Sequence, residues 1–513
     1  MNIIKKLWHN FKAQPDVWFF YGFLITFTLS IRKVLFFYPI SGQFNEYSGI
    51  YLYLSDIFIV LTIILWAISI LQNKSDILSR HKSFLVQNKF LFIIPLLLVI
   101  WSFISAGWAD DRNIAIFRSI KLLEFYLLYV YIILIVPRGT ILKRIFQITI
   151  FFGLFNATIG IWQFIIQKSV GLFWLKESLI SPEILGVAKV ILGGEKFIRS
   201  YGLFPHPNIL GGFLLFSIIA TFIYHKCSTS EGMFHPSTNV PRGTCYGAGV
   251  EHSAGQAWNN NKFFKLFITI QFIALLLTFS KSAILGLIIA LVYIHYKKMF
   301  HPSTNVPRGT CYGAGVEHFR RKVLISIGII LVLAYIIKPD INSLLFKSLD
   351  ERALYANVSY GTISAHPFVG LGSGQFVPNM QKYAVQDLEP WQYQPVHNVL
   401  LLIWSELGII GLGLFIWWLW RLFLAKQIIP KRDVKCSTPV GIKLFHVEQF
   451  HPTGQAWNNS QPLRILKGLL LGVIFIMLFD HYFWDIQQGQ ILLWLLAGLI
   501  AGIAKNDTLD NIY

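Results

Sequence analysis

Long apolar runs alternate with short polar segments along almost the whole chain. About a dozen of these runs reach, or nearly reach, the ~20 residues that a helix needs to cross a bilayer. Lipid offers the backbone no hydrogen-bond partners, so runs of this length form helices. The pattern predicts an all-α fold, a polytopic helical membrane protein with about 12 transmembrane helices. The predicted spans are 17–37, 50–71, 89–107, 114–136, 142–166, 207–225, 264–280, 282–296, 322–338, 396–424, 466–484 and 488–504.

Two polar segments are longer than usual connections between helices. They are predicted to be external loops at 167–206 and at 339–395, and the second lies directly before the tenth predicted span. The whole chain, 1–513, is interpreted as a single membrane domain that carries these loops.

Composition and charge agree with a membrane protein and orient it. Hydrophobic residues make up 55% of the chain and charged residues only 13%, which excludes an ordinary soluble protein. The net charge of +19 comes from Lys and Arg in alternate loops, such as Lys5, Lys6 and Lys12 before the first span. By the positive-inside rule these loops are cytoplasmic, and both termini are expected there as well. Because the basic charge serves orientation, we expect no nucleic-acid partner.

Three polar segments are copies of one another. Met233 to His252 recurs identically as Met299 to His318, and a related piece lies at 445–459. Identity of this kind indicates recent copying, whereas solenoid repeats drift and recur at a regular period. The segments 226–262, 297–320 and 435–461 are therefore interpreted as cytoplasmic repeat-derived insertions without a part in the core function.

All four cysteines belong to these insertions. They are accompanied by several histidines, which resembles the composition of a zinc site, but the chain has no CxxC pair. Copying of one segment explains the clustering, so we expect neither a metal nor a disulfide there. The cysteines are Cys227, Cys245, Cys311 and Cys436.

Outside the insertions, four histidines on the predicted external side fall in dense polar motifs. His397 is the most informative, because Pro395 to Asn398 runs straight into an apolar helix. Imidazole titrates near neutral pH and can take a proton from an attacking hydroxyl. At the boundary of water and lipid it could act on a substrate with a polar head and a lipid tail. The other three histidines are His206, His366 and His481.

Two cations share the predicted depth of His397. Arg199 begins the motif RSYGLFPHPN, and Lys281 lies between two serines in a tight turn. Each motif has a structural alternative, since HP turns use His and Asn as caps and lysine can snorkel to the interface. Their convergence on one membrane face favours function. Two fixed cations beside a neutral imidazole suit an anionic head group such as a diphosphate.

Charged residues also occur inside predicted spans. Arg118, Lys121 and Glu124 are spaced by three residues on one helix, and charges there should face protein, not lipid. A mutually paired structural cluster is favoured over the lining of a lipid-phosphate cavity. Asp56 and Glu406 have the same two interpretations, and Glu406 is expected to face a neighbouring helix.

These motifs together resemble one family. The O-antigen ligase and O-antigen polymerase superfamily shares their order, a twelve-span topology and a long external loop before the tenth span. The resemblance covers nearly the whole chain outside the insertions. It rests on Arg199 to Gly212 (RSYGLFPHPNILGG), Leu277 to Gly286 (LTFSKSAILG), His366 to Phe376 (HPFVGLGSGQF), His397 to Gly411 (HNVLLLIWSELGIIG) and Asp480 to Gly489.

The resemblance implies a metal-independent, inverting glycosyltransferase in a bacterial inner membrane. An undecaprenyl-diphosphate-linked glycan is the implied donor, membrane lipid surrounds it, and a glycan, lipid-core or protein hydroxyl is the acceptor. No cofactor and no metal is implied. His397 resembles the family's essential loop histidine and candidate general base, and Arg199 its diphosphate-binding arginine.

The remaining implied roles are less direct. Lys281 stands where the family usually has arginine, so it keeps the charge and loses the bidentate geometry.

A transporter or flippase of a small anion or lipid-linked glycan is the main alternative, although transporters place polar residues near mid-membrane. The candidate supporting residues are His206, Asn208, Ser280, His366, Asn398, Glu406, Asp480 and His481.

Overall fold

The computed structural model describes most of the predicted membrane part of the chain. The predicted span 322–338 and nearly all of the three predicted insertions lie outside the described residues, as do Cys245, Cys311 and Cys436. The described residues are 2–72, 86, 88–135, 139–229, 261–300, 341–426 and 460–504.

Helices dominate the described residues. Their bounds are α1 Asn2–Ala13, α2 Pro15–Thr26, α3 Leu54–Gln72, α4 Lys89–Ser105, α5 Arg112–Ile135, α6 Gly139–Ile166, α7 Pro207–Thr229, α8 Asn261–Leu277, α9 Lys281–Phe300, α10 Ile341–Ala365, α11 Met380–Tyr383, α12 Val399–Leu424, α13 Ser460–Met477, α14 Tyr482–Asp485 and α15 Gln487–Ala504. Short 3-10 turns lie at Glu46–Ser48, Phe173–Leu175 and Pro390–Gln392.

Several helices have the length and composition of membrane spans. Five such helices occur among the described residues: Leu54–Gln72, Thr140–Ile166, Pro207–His225, Val399–Leu424 and Gln487–Ala504. The prediction of a polytopic helical membrane protein is confirmed, while the count of twelve spans stays a prediction. Every residue of α15 is buried, so this helix lies at the centre of the packed helices.

Two small antiparallel hairpins interrupt the helices. Strands β1 (Arg32–Phe37) and β2 (Gly49–Tyr53) pair in one hairpin, and β3 (Lys189–Leu192) and β4 (Glu195–Ile198) pair in the other. The predicted span 17–37 is wrong in its second half, because α2 ends at Thr26 and strand β1 occupies Arg32–Phe37. The apolar run 34–37 reads as a helix by hydropathy alone, yet it lies in a strand whose side chains stay exposed.

The other predicted bounds differ mainly at helix ends. The helix predicted at 466–484 ends at Met477, and a tight turn separates it from α14. The predicted loop 339–395 contains a long helix, α10, at its start. Polar residues such as Asn, Ser, Lys and Glu hide this helix from a search for apolar runs, although several of them are good helix formers.

Helix α12 is broken at Gly408. The segment that follows α10, from Pro367 to Gly372, docks against this break. Gly408 has φ 67° and ψ −173°, and the backbone N–H of Ile409 donates to Pro367 O at 3.0 Å. Two more backbone bonds run from Leu371 to Ser405 and from Gly372 to Glu406. The polar groups freed by the break are therefore satisfied by the loop, which fixes the loop on the helix that begins beside His397.

Substitution of Gly408 should destabilise this docking. A Cβ at Gly408 would lie 2.1 Å from Phe368 O, and its positive φ is strained for any other residue. We expect Gly408→Ala to cost about 3 kcal/mol or more and to lower the melting temperature in detergent. Gly413→Ala in the same helix is the matched control, because nothing lies within 4 Å of its Cβ position. Equal melting temperatures would contradict the docking role.

Candidate functional site

A cavity of about 400 Å³ opens where α8 meets α9. One part of its wall is polar and cationic, and the other is apolar, with Leu285, Phe475 and Phe479. We call it the cationic cavity. Its remaining lining residues are Arg199, Asn208, Phe279, Ser280, Lys281, Ser282 and Arg352.

Arg199 is held in the cavity wall by neutral partners. Its Nε donates to Thr278 O at 2.6 Å, and its Nη2 donates to Asn208 Oδ1 at 2.5 Å. Burial lowers the pKa of Arg199 to about 10, so the guanidinium is still charged at neutral pH. Because these partners carry no negative charge, the positive charge of Arg199 is available to a ligand.

Lys281 is the first residue of α9 and its side chain is exposed in the cavity. The preceding Phe279 has φ 49°, which makes the turn between α8 and α9 tight and brings Ser280 to the start of α9. Ser280 O accepts from the N–H of Ile284, and its hydroxyl lies 3.4 Å from that of Ser282. Within the described part of the chain, the side chain of Lys281 makes no hydrogen bond or ion pair.

A third cation, Arg352, lines the same cavity and was missed in the sequence. It lies on α10, where it is exposed and, as far as the structure describes the chain, has no carboxylate partner. The sequence carries little signal for it, since Asp350 and Glu351 precede it and suggest an ordinary charged loop. Only the packing of α10 brings Arg352 beside Arg199 and Lys281.

His397 lies next to this cavity and not in its lining. It lies two residues before the start of α12, and its ring contacts Tyr355 of α10, with ring centres 5.7 Å apart. The ring of His481 lies on another side, at 5.1 Å. Asp480 follows Phe479 of the cavity wall, and its carboxylate lies near both imidazoles. We call His397, Asp480 and His481 the imidazole cluster.

A hydrogen-bonded path joins the imidazole cluster to the cationic cavity. Asn208 accepts from Arg199 and donates through Nδ2 to Asp480 Oδ2 at 2.6 Å. The other oxygen of Asp480 accepts from the backbone N–H of His481 at 2.9 Å. Asn208 thus fixes the distance between a cavity cation and the carboxylate beside His397.

Burial and neighbouring charges separate the protonation states of these groups. Burial and the charge of His481 lower the pKa of His397 to about 4, so it is neutral at pH 7. Burial and the charge of Arg199 lower the pKa of His206 to about 3. Burial alone would raise the pKa of Asp480, but the nearby imidazoles outweigh it and lower that pKa, which keeps the carboxylate charged.

Two of the candidate supporting residues act as helix caps. His206 Nδ1 accepts from the N–H of Asn208 at 3.2 Å at the start of α7, and Asn398 Oδ1 accepts from Leu401 N at 3.0 Å. Asn398 also donates to Leu478 O at 3.1 Å, which ties α12 to the end of α13. These contacts stabilise the helix starts on which the site is built.

Two further candidates lie away from the cationic cavity. His366 is exposed and its Nε2 lies 3.1 Å from the hydroxyl of Tyr383. Glu406 is buried in α12, where it accepts from Trp484 Nε1 at 3.1 Å. Glu406 therefore faces a neighbouring helix, as the helical spacing predicts. Neither residue lines the cationic cavity.

The charged residues inside the membrane form a structural cluster for the most part. Lys121 pairs at 2.6 Å with both Asp56 and Glu124; Lys121 and Asp56 are buried and Glu124 is partly buried. Arg118 donates to the carbonyl of Asp485 at 2.8 Å. The favoured structural interpretation agrees with these pairs, and none of these side chains lines the cationic cavity.

The imidazole cluster also has the donor set of a metal site. One ligand atom each from His397, Asp480 and His481 lie within 4.8 Å of one another. Imidazole nitrogen and carboxylate oxygen both suit Zn²⁺, at bond lengths of about 2.0–2.2 Å.

Comparison with protein families supports a transferase over a transporter. Residues 266–416 match a family model, and this segment includes Lys281, Arg352, His366, His397 and Glu406. That model describes the O-antigen ligase family. The match confirms the resemblance to the O-antigen ligase and polymerase superfamily and indicates glycan transfer of that type, with a lipid-linked glycan donor and a glycan acceptor. No curated protein matches the chain.

Proposed function

We propose that this O-antigen ligase-like protein transfers a glycan from an undecaprenyl-diphosphate-linked donor to an acceptor hydroxyl. The cationic cavity supports this proposal most directly. Arg199, Lys281 and Arg352 present positive charge to a diphosphate, and the apolar wall beside them suits the start of a lipid tail. A ligand with an anionic head and an apolar tail fits both halves of the wall.

The donor would bind with its diphosphate among the three cations. Their charges stabilise the negative charge that develops on the diphosphate as it leaves, and they do so in a partly dry site. Because the arginine side chains offer planar pairs of donors, each can bind two phosphate oxygens. Lys281 adds a point charge at the start of α9, where the helix dipole also favours an anion.

His397 would act on the acceptor. The acceptor hydroxyl attacks the anomeric carbon of the donor sugar, and its proton goes to the free nitrogen of His397. The bond between that carbon and the diphosphate oxygen breaks, and the lipid diphosphate leaves with the electron pair. Attack opposite to the leaving group inverts the anomeric configuration. Asp480 then faces an imidazolium that its carboxylate stabilises.

The pattern of Lys and Arg along the chain supports a location for the site. We propose that the site opens at the external face of a bacterial inner membrane, with both termini in the cytoplasm. An acceptor there could be a glycan, a lipid core or a protein. A ligase and a polymerase share the chemistry described above and differ in this acceptor.

Transfer by the purified protein tests the proposal. The lipid-diphosphate glycan is incubated with each class of acceptor, and the product and released lipid diphosphate are quantified by mass spectrometry. We expect one acceptor class to give equal amounts of the two products. If intact donor remains with every acceptor while the protein stays folded, the proposed activity is wrong.

Removal of divalent ions provides a separate prediction. His397 can act as a base only with a free nitrogen, and a bound ion in the imidazole cluster would occupy it. We therefore expect EDTA to leave the transfer rate unchanged and added Zn²⁺ to lower it. Loss of activity with EDTA and its recovery on addition of a metal would contradict a metal-independent reaction.

A further inference from the structure

A second histidine, His481, lies beside His397 and contacts the carboxylate of Asp485. His481 lies in the turn between α13 and α14, where its side chain is buried. Its Nδ1 lies 2.8 Å from Asp485 Oδ1 and 2.9 Å from Oδ2, so one ring nitrogen faces both carboxylate oxygens. The two contacts with Asp485 thus fix the orientation of the ring beside His397.

We propose that His481 and Asp485 form a positioning pair that keeps His397 unprotonated. The two imidazole rings lie 5.1 Å apart, centre to centre, so a proton on His481 would place a positive charge beside the ring that accepts the proton of the acceptor hydroxyl. This inference rests on the proposed function of His397 as the base. His481 is assigned no contact with the donor or the acceptor, so it acts through His397.

The charges around the pair support its protonated form. Burial alone would lower the pKa of His481, but the Asp485 carboxylate outweighs burial and raises it. Asp480 and Glu46 add further negative charge. Burial lowers the pKa of His397, and a positive charge on His481 lowers it further.

Groups from several elements face the two imidazoles. Arg352 adds to the effect of His481 on His397, and Asp480 opposes it. Tyr47 packs its ring edge-on against His481 at 5.8 Å and brings no charge at neutral pH, because burial raises its pKa well above the ordinary value. Among the described residues, the groups that act on the two imidazoles are Tyr355 and Arg352 from α10, Asp480 from the turn, Asp485 from α14, Glu46 and Tyr47 from the first hairpin, and His206 before α7.

The pair changes what His397 can do at low pH. A base works only above its own pKa, so a lowered pKa extends activity toward acid. Loss of the charge on His481 should raise the pKa of His397. The acid limb of the pH–rate profile should then move to higher pH. By Coulomb's law, a unit charge at this separation shifts that limb by about one pH unit or more.

Two variants remove the charge by different routes. His481→Gln removes the imidazolium, and Asp485→Asn removes the carboxylate that maintains it. In both variants we expect the acid limb of the transfer rate to move to higher pH, while the rate at pH 8 is largely retained. Asp485→Asn separates the alternatives, because a carboxylate acting on His397 directly would move the limb downward when removed.

A second readout is independent of transfer. Diethylpyrocarbonate modifies only unprotonated imidazoles, and peptide mass spectrometry gives the rate of His397 modification at each pH. The wild type and the uncharged control Tyr47→Phe should share one profile. His481→Gln and Asp485→Asn should move it upward by about one unit or more.

The pH dependence of transfer and that of His397 modification together distinguish a failure of the positioning pair from a failure of His397 as the base. If the modification profile of His397 stays unchanged in both variants, or moves downward in Asp485→Asn, the positioning pair is overturned. If that profile moves upward while the pH dependence of transfer does not, the pair is supported and His397 is not the base. A uniform loss of transfer at every pH with an unchanged profile indicates a structural role and overturns the proposal.

Discussion

His397→Ala should reduce glycan transfer by about 10²–10⁴-fold, the usual cost of losing a general base. The ring of His397 contacts Tyr355 and His481 and accepts no hydrogen bond that holds the start of α12, since Asn398 caps that helix. We therefore expect a folded protein that still binds the donor. Donor affinity, measured by binding of the lipid diphosphate to the purified variant, should stay near that of the wild type.

His397→Asn distinguishes catalysis from capping. Asparagine is a good helix cap and cannot accept a proton at neutral pH. If His397 served only the helix start, the Asn variant would be active. We expect it to be as inactive as the Ala variant, at matched protein levels in membranes. An active Asn variant would rule out His397 as the base.

Removal of the cavity cations should have the next largest effect. Lys281→Met and Arg352→Met should each lower the transfer rate by about 10²-fold, the cost of losing one group that stabilises the leaving charge. Both side chains are exposed and without a protein partner in the described structure, so stability should be unaffected. Transfer rates at saturating acceptor measure the effect.

Two controls accompany these variants. Lys281→Arg keeps the charge and should retain activity, whereas a structural lysine would not discriminate Met from Arg in this way. Lys265→Met removes an exposed lysine of α8 that does not line the cavity and should leave the rate unchanged. Equal activity of Lys281→Met and Lys281→Arg would exclude a charge-based role for Lys281.

The sequence predicts the membrane helices well and the hairpins poorly. Hydropathy locates α4, α5 and α15 within a few residues, because a lipid-facing or buried helix must be apolar along its length. Hydropathy does not separate a helix from an exposed strand, which is why the run 34–37 was assigned to a span. The polar helix α10 was missed for the opposite reason.

The sequence predicts some of the residues that line the cationic cavity, and their functional roles stay predictions. The motifs around Arg199 and Lys281 do meet in one cavity, because the end of α8 and the segment before α7 bond to each other through Ser200 and Leu277. Arg352 was not predicted, since its place depends on how α10 packs. His366 and Glu406 were grouped with the site, yet the fold uses them elsewhere.

The arrangement of the imidazole cluster also could not be predicted from the sequence. Asp480 and His481 follow α13, far along the chain from His397, and only the turn before α14 brings them to it. The link from Arg199 through Asn208 to Asp480 joins three separate motifs. Such contacts depend on tertiary packing, which no spacing within a single motif specifies.

Sealed proteoliposomes that contain a labelled lipid-diphosphate glycan test the central claim most directly. The measurement follows both the cleavage of the donor and its movement between leaflets, with the acceptor supplied outside. We expect the wild type to transfer the glycan and release lipid diphosphate, and His397→Ala to do neither at a comparable rate. If the protein instead moved intact donor across the bilayer, with no cleavage and no dependence on His397, it would be a flippase and the proposed transfer would be wrong.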